Sequence, residues 1–200
     1  MMSHYYSEEQ DVESNPSSFT YRYDDYNLEL KTDSGVFSKG GIDYGSDVLV
    51  RAYLKDSRHY TRVLDVGCGY GPIGLMVAKA SQMSTVEMVD VNARALSLAE
   101  ENQKTNKIDN VAIYKSDALD AVQNAFDAIL TNPPIRAGKD VVNKIIDQSI
   151  DHLNENGALF VVIQKKQGMP SAKKRMAGLF GNVEVVTKDK GYYILKSVKG

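Results

Sequence analysis

Asn132-Pro133-Pro134-Ile135 closes the stretch 126–131, and residues 63–74 read Val-Leu-Asp-Val-Gly-Cys-Gly-Tyr-Gly-Pro-Ile-Gly. These two segments carry the chemistry. The amine of a nucleobase or an amide has its lone pair delocalised into a π-system and is a poor nucleophile. If the Asn132 side-chain oxygen and the Pro133 carbonyl both accept from such an NH₂, they turn its lone pair towards an electrophile. Pro133 and Pro134 stiffen the loop and restrict the residues before them. Catalysis of this kind is mainly positioning and needs no strong base. An ordinary rigid turn would also satisfy Asn-Pro-Pro taken alone.

Gly67, Gly69 and Gly71 allow a sharp bend and a close backbone approach to a ligand. The helix expected behind them points free N–H groups at that ligand, as donors for a carboxylate. Gly69–Gly74 also satisfies G-x-G-x-x-G, so a dinucleotide enzyme is the competing reading. Two features argue against it. The preceding strand runs directly into Gly67, ahead of that match, and Pro72 at the helix start offers no N–H to a pyrophosphate. Asp65 stands just before the turn and joins the candidate cofactor contacts. Asp90, 25 residues later, ends the next strand, where a carboxylate can accept from ribose hydroxyls. Asp117 and the Ala118 backbone, after the third strand, could meet an adenine ring. Phe37 could cover the cofactor, and Asp43 could cap the following helix. Cys68 reads as a small residue in a crowded turn. No metal ligand set is expected.

The elements that must position these residues alternate. Residues 20–32 suit one or two β segments with a turn at Asp24-Asp25, and 43–54 suit a helix. Strands are expected at 62–66, 85–89, 111–115, 126–130 and 158–163. Helices are expected at 71–81, at 93–106 with Asn92 as N-cap, at 139–153 and at 172–180. Asn156-Gly157 is expected to end the helix 139–153. Strands separated by helices imply right-handed crossovers and a mostly parallel, Rossmann-like, doubly wound α/β sheet. Strands 183–187 and 192–198 are joined too tightly for a crossover and should form an antiparallel hairpin.

Two hundred residues, 42% of them hydrophobic, suit one domain. Its expected extent is residues 18–200, with 1–17 too polar to add to a core and read as a flexible segment. No apolar run reaches membrane length and no secretory signal is visible. The single cysteine excludes an intrachain disulfide and fits a reducing cytoplasm. A net charge of −2 hides an asymmetry: residues 1–33 hold eight acids and two bases, the remainder 18 acids and 22 bases. Residues 164–175 carry five bases, Lys165, Lys166, Lys173, Lys174 and Arg175, and no acid. With Arg136 and Lys139 they could form a phosphate-binding rim, although a charge run on a helix is commonly just solvated.

Together these residues resemble class I S-adenosylmethionine-dependent methyltransferases of the ribosomal RNA small subunit methyltransferase C type, the single-domain bacterial members above all. The resemblance spans roughly residues 18–199, a domain-sized stretch. It rests on Gly35-Val-Phe-Ser-Lys-Gly40 with Asp43-Tyr-Gly-Ser46, on residues 63–74, on Asp90, on Asn132–Ile135 with Arg136-Ala-Gly138, and on Gln164-Lys-Lys-Gln-Gly168. It implies S-adenosylmethionine as cofactor, methylation of guanine N2 in small-subunit ribosomal RNA, a cytoplasmic setting and a monomer. Many nitrogen methyltransferases place Phe or Tyr after the two prolines; here Ile135 stands there, counted among the substrate contacts. Longer family members carry an extra N-terminal domain. A protein (glutamine) or small-molecule N-methyltransferase, an NAD-dependent oxidoreductase and a non-catalytic RNA-binding module are the alternatives.

Overall fold

The computed structural model describes residues 13–36 and 40–200. The chain opens with a hairpin, β1 (Ser17–Tyr23) and β2 (Tyr26–Thr32), turning at Asp24-Asp25 as expected. The rest alternates: α1 (Tyr44–Leu54), β3 (Arg62–Val66), α2 (Pro72–Ala80), β4 (Thr85–Asp90), α3 (Ala93–Thr105), β5 (Val111–Lys115), β6 (Phe126–Thr131), α4 (Lys139–Ser149), β7 (Leu153–Gln164), α5 (Met169–Phe180), β8 (Glu184–Asp189) and β9 (Tyr192–Val198). The seven-stranded sheet has the order β5-β4-β3-β6-β7-β9-β8. Strands β3 to β7 pair in parallel, and β9 runs antiparallel to both β7 and β8. This is the expected doubly wound α/β sheet with a C-terminal antiparallel hairpin.

Two apolar layers cover the sheet. One face packs Leu49, Leu75, Met76, Ala95 and Ala99 from α1, α2 and α3, together with Leu28 and Leu30 of β2. The other packs Val142, Ile145 and Ile146 of α4 and Met176 of α5. β7 lies between them, and Ala158–Ile163 is buried throughout, as its unbroken apolar run requires.

One boundary differs from the periodicity. Lys139–Leu153 reads as one helix, but α4 stops at Ser149, a single 3₁₀ turn follows, and Leu153 already pairs with Phe126 in the sheet. Asn156 does have a positive φ of 63°, but inside β7, where the register with β6 shifts. Gly157 is needed there because a Cβ would lie 2.8 Å from the Asn154 carbonyl oxygen and 3.0 Å from that of Phe126. The left-handed residue makes a bulge rather than a helix stop.

The first hairpin is held by side-chain amides. Asn102 of α3 and Asn106, which caps its C-terminus one turn later, each exchange two hydrogen bonds with the backbone of β2. Asn102 accepts from Lys31 N (2.8 Å) and donates to Lys31 O (2.9 Å); Asn106 does the same with Glu29 at 2.9 and 2.8 Å. The two amides thus stand in for a neighbouring strand. Asn102 also donates to the Tyr70 carbonyl at 2.9 Å, so one buried side chain fixes both the hairpin and the glycine turn. Ahead of β1, Ser14 and Asn15 donate to Asp33, which Arg94 also holds at 2.7 Å. Asn102→Ala strands several buried backbone groups and should cost about 2–3 kcal/mol, read as a lower urea midpoint with an unchanged m-value.

Candidate active site

The site forms where two parallel strands end side by side. Val66 of β3 pairs with Thr131 of β6, and the Thr131 hydroxyl donates to the Val66 carbonyl at 2.9 Å. The next residues are Gly67 on one strand and Asn132 on the other. Both line a cleft with Asp43, Ser46, Cys68, Gly69, Tyr70, Pro72, Ile73, Pro133 and Pro134. An adjoining lobe is lined by Gly67, Asp90, Val91, Ser116, Ala118, Pro134 and Ile145.

The glycine turn is held from below. Gly67 N and Cys68 N both donate to the Val89 carbonyl at 2.9 Å, and Gly71 N donates to Cys68 O at 3.0 Å. Gly67 and Gly71 have φ of +72° and +97°, a region costly for other residues. A Cβ on Gly67 would meet nothing closer than Pro134 Cδ at 3.9 Å, so the space above that glycine is open. A Cβ on Gly74 would lie 2.7 Å from Met88, so that glycine serves close helix packing.

Two carboxylates hold the turn. Asp65 Oδ2 accepts from Gly74 N at 2.9 Å. Its Oδ1 is buried without a hydrogen-bond partner among the described residues. Burial pushes this carboxyl up to about 7, against the Gly74 hydrogen bond and with a further push from Asp90. Asp90 accepts from Gly69 N at 2.8 Å and Asn92 N at 2.9 Å, and burial outweighs these bonds to raise it as well. Asn92 caps α3 through Ala95 N, as expected. Burial also pushes the Cys68 thiol well up, away from the thiolate form that a nucleophile needs.

Asn132 has a fixed side chain. Its Nδ2 donates to Asp43 Oδ2 at 2.8 Å and to Ser46 Oγ at 2.9 Å. A carboxylate only accepts, so the contact with Asp43 decides which end of the amide is NH₂. Asn132 lines the cleft, and its Oδ1 has no hydrogen-bond partner among the described residues. Asp43 Oδ2 accepts from Ser46 N as well, at 3.0 Å, and thereby caps α1. One carboxylate oxygen therefore starts a helix and orients the amide 89 residues away.

A profile of the methyltransferase small domain matches residues 27–196. The chain belongs to the methyltransferase small domain family. It is 48% identical to the uncharacterized protein YbxB of Bacillus subtilis (strain 168) over the full length of both. It is 32% identical to ribosomal RNA small subunit methyltransferase C of Haemophilus influenzae (strain 86-028NP), over 82% of this chain and 49% of that protein. It thus spans about half the length of that relative. Among solved structures, the Thermus thermophilus 16S rRNA N2 G1207 methyltransferase, in complex with AdoMet and guanosine, superposes with a TM-score of 0.83 at 24% identity. That superposition covers 96% of this chain and 52% of that one, and it establishes the fold.

For a methyltransferase the lining is apt. Among the described residues it contains no Lys or Arg, while Asp43 and Asp90 face the two lobes and Asp65 lies beneath the turn. A lining with carboxylates and no base suits a cationic ligand rather than a pyrophosphate. The sequence-derived candidates divide accordingly. Gly67, Gly69, Asn132, Pro133 and Pro134 line the cleft, and Asp90 and Ala118 line the lobe. Asp65 and Gly71 shape the turn without lining either. Asp117, expected beside the adenine, does not line the lobe: its carboxylate pairs with Lys144 of α4 at 2.9 Å. Ile135 is half-buried against the α4 layer. Arg136, Lys165, Lys166, Lys173 and Lys174 are exposed, whereas Arg175 is engaged by Asp147 of α4. Phe37 lies outside the described residues. The link from Asp43 and Ser46 to Asn132 was not legible in the sequence; the segment Asp43–Ser46 entered only as part of the family resemblance, and its one physical signal was Asp43 three residues before Ser46, a capping pattern.

The raised Asp65 carboxyl has a consequence for stability. In the unfolded chain it ionises near its ordinary value, whereas in the fold it holds its proton up to about pH 7. Its contribution is full below about pH 4 and is lost as pH rises to about 7, at roughly 1.4 kcal/mol per unit. Asp65→Asn should remove this slope, so the difference in unfolding free energy between variant and parent should grow between pH 4 and 7 and level off above. A pH series of urea titrations measures it.

Proposed function

We propose that this chain transfers the methyl group of S-adenosylmethionine to N2 of a guanine in small-subunit ribosomal RNA. The observation that carries the reading is the Asn132 amide, oriented by Asp43 and Ser46 with its oxygen free beside the glycine turn. The cofactor is S-adenosylmethionine, which when bound supplies a methyl group on a sulfonium. The cleft beside Gly67 and Gly69 receives its amino-acid end, Asp65 acts from beneath by holding Gly74 N, Asp90 receives the ribose, and Val91, Ala118 and Ile145 enclose the adenine. Asp90 can serve this way because it lines the lobe and the backbone N–H groups of Gly69, Asn92 and Val91 take only three of the four acceptor positions of its carboxylate.

Asn132 Oδ1 and the Pro133 carbonyl accept from the exocyclic amine of the target base. Its lone pair is then directed at the methyl group, and the proton leaves after transfer. No general base is needed, in keeping with a cleft that has no histidine among its described lining residues. Ile135, exposed Arg136, and Lys165, Lys166, Lys173 and Lys174 meet the RNA; Arg175 contributes less, because Asp147 already neutralises it. In this reading residues 18–200 are one methyltransferase domain acting as a cytoplasmic monomer, and residues 1–17 precede it. Among the described residues, no helix is long and apolar enough to cross a membrane.

Methyl transfer from labelled cofactor to naked ribosomal RNA, small subunits and total protein, followed by nucleoside mass spectrometry, tests the reading. N2-methylguanosine in the RNA fractions is the expected result, and label confined to protein would overturn it. Asn132→Ala should cut turnover about a hundredfold or more with RNA affinity little changed. Asp90→Ala should weaken cofactor binding roughly tenfold or more by calorimetry. It should also lower thermal stability, because Gly69 N and Asn92 N lose their acceptor.

A further inference from the structure

The sheet order divides the carboxyl edge into two halves. On one side of Asn132 lie the ends of β3, β4 and β5, which line the cleft and lobe. On the other side come the end of β7 and then the tip joining β8 to β9. Gln164 pairs with Tyr192, Asp189 pairs with Tyr192 across the hairpin, and Lys165 N donates to Gly191 O at 3.2 Å. Residues 188–192, remote in sequence from every motif, therefore stand at the same edge as Asn132. Two strand spacings separate β6 from β9, roughly 10 Å.

The tip is joined to the catalytic amide by direct contacts. The Tyr192 ring packs on the start of α1 so closely that a Cβ on Gly45 would lie 2.7 Å from it. Tyr192 and Tyr44 rings lie 5.7 Å apart, and the Tyr44 hydroxyl donates to Asp189 at 2.6 Å. Tyr44 follows Asp43, the acceptor for Asn132 Nδ2. The tip thus sits on the helix start that orients the amide.

Its charge is placed rather than loose. Lys190 Nζ lies 4.7 Å from the Tyr44 ring centre and Lys188 Nζ 5.3 Å from that of Tyr193. Tyr44 and Tyr192 belong to one apolar layer and Tyr193 to the other, so the two lysines straddle the sheet edge. Neither Lys188, Lys190, Lys165 nor Lys166 pairs with a carboxylate among the described residues. The one acid of the tip, Asp189, is already engaged by Tyr44. Four unpaired, exposed cations beside two half-buried tyrosine rings suit a single-stranded polyanion with stackable bases.

We propose that the β8–β9 tip, through Lys188 and Lys190 together with Lys165 and Lys166, holds the sugar–phosphate backbone of the single-stranded RNA flanking the target nucleotide. This rests on the RNA reading above and adds to it a contact surface that the sequence motifs do not include. The strand enters over the hairpin tip, passes Lys165 and Lys166, and presents its base at Asn132.

The test is Lys188→Ala/Lys190→Ala, two exposed positions whose loss leaves the core intact, as a thermal melt will verify. Binding to a single-stranded ribosomal RNA fragment is measured from 50 to 200 mM salt. Two lost single-strand phosphate contacts should lower the magnitude of the slope of log K against log salt by about 1.4. The affinity advantage of the parent should then shrink by about sevenfold across that range. The KM for RNA should rise, while kcat at saturating RNA and the affinity for S-adenosylmethionine stay at parental values. Lys104→Ala/Lys107→Ala, exposed at the far end of α3, should leave the slope unchanged. If the tip variant keeps the parental slope while the parent methylates RNA, the tip contact is wrong and the RNA reading stands. If the parent labels protein instead of RNA, both fall.

Discussion

The pairing of Val66 with Thr131, in the centre of the sheet, is the contact on which the rest of this structure depends. Parallel strands end at the same edge, so this register puts Gly67 beside Asn132 although 64 residues of chain separate their neighbours across it. The Thr131 hydroxyl on the Val66 carbonyl locks the pair in place. A one-residue slip would turn every side chain of β6 to the other face. The apolar layers on both sides, with Leu130 packed on one and Ile129 on the other, forbid that slip. The site is thus positioned by the core rather than by its own loops.

Around that centre, polar side chains do the fine positioning, and most serve two purposes. Asp43 starts α1 and orients Asn132. Asn102 holds the first hairpin and the glycine turn. Asp90 holds that turn and the approach to α3. Such sharing is economical in a chain of this size, but it makes function and stability hard to separate at these positions. A site residue here cannot be deleted without loosening an element. Asp65 shows the cost: a fully buried carboxyl with one unsatisfied oxygen is kept where a neutral side chain would fold more readily at neutral pH.

The sheet edge has two halves of different character. The half formed by β3, β4 and β5 is carboxylate-lined and stiffened by glycine and proline geometry, which suits a small cationic cofactor. The half formed by β7, β9 and β8 carries exposed lysines on tyrosine rings, the basis of the RNA contact proposed above. Asn132 stands at the boundary. The antiparallel C-terminal hairpin makes this possible, because it returns the chain to the carboxyl edge at residues 189–192 instead of ending it at the opposite one.

Local signals in the sequence determined much of this. The alternation of apolar periods placed every strand and helix, because an amphipathic face is written in neighbouring residues. The three glycines announced the turn, Asn92 and Asp43 announced caps, and Asn-Pro-Pro announced the loop that lines the cleft beside that turn. The end of α4 was misread because Leu153 continues the helical stripe, and only its pairing with Phe126 takes it into the sheet. Tertiary structure alone decided the rest, since those contacts join residues far apart in the chain. It paired Asp117 with Lys144 and Arg175 with Asp147, contacts that their surroundings in sequence did not suggest. It brought Asp43 and Ser46 to Asn132, which settles which end of that amide is NH₂. It also carried the tip at 188–192 to the same edge, where no motif marked it. Sequence spacing reports what one element presents; which elements share an edge is fixed by strand order and register, and these depend on the packing of the whole sheet.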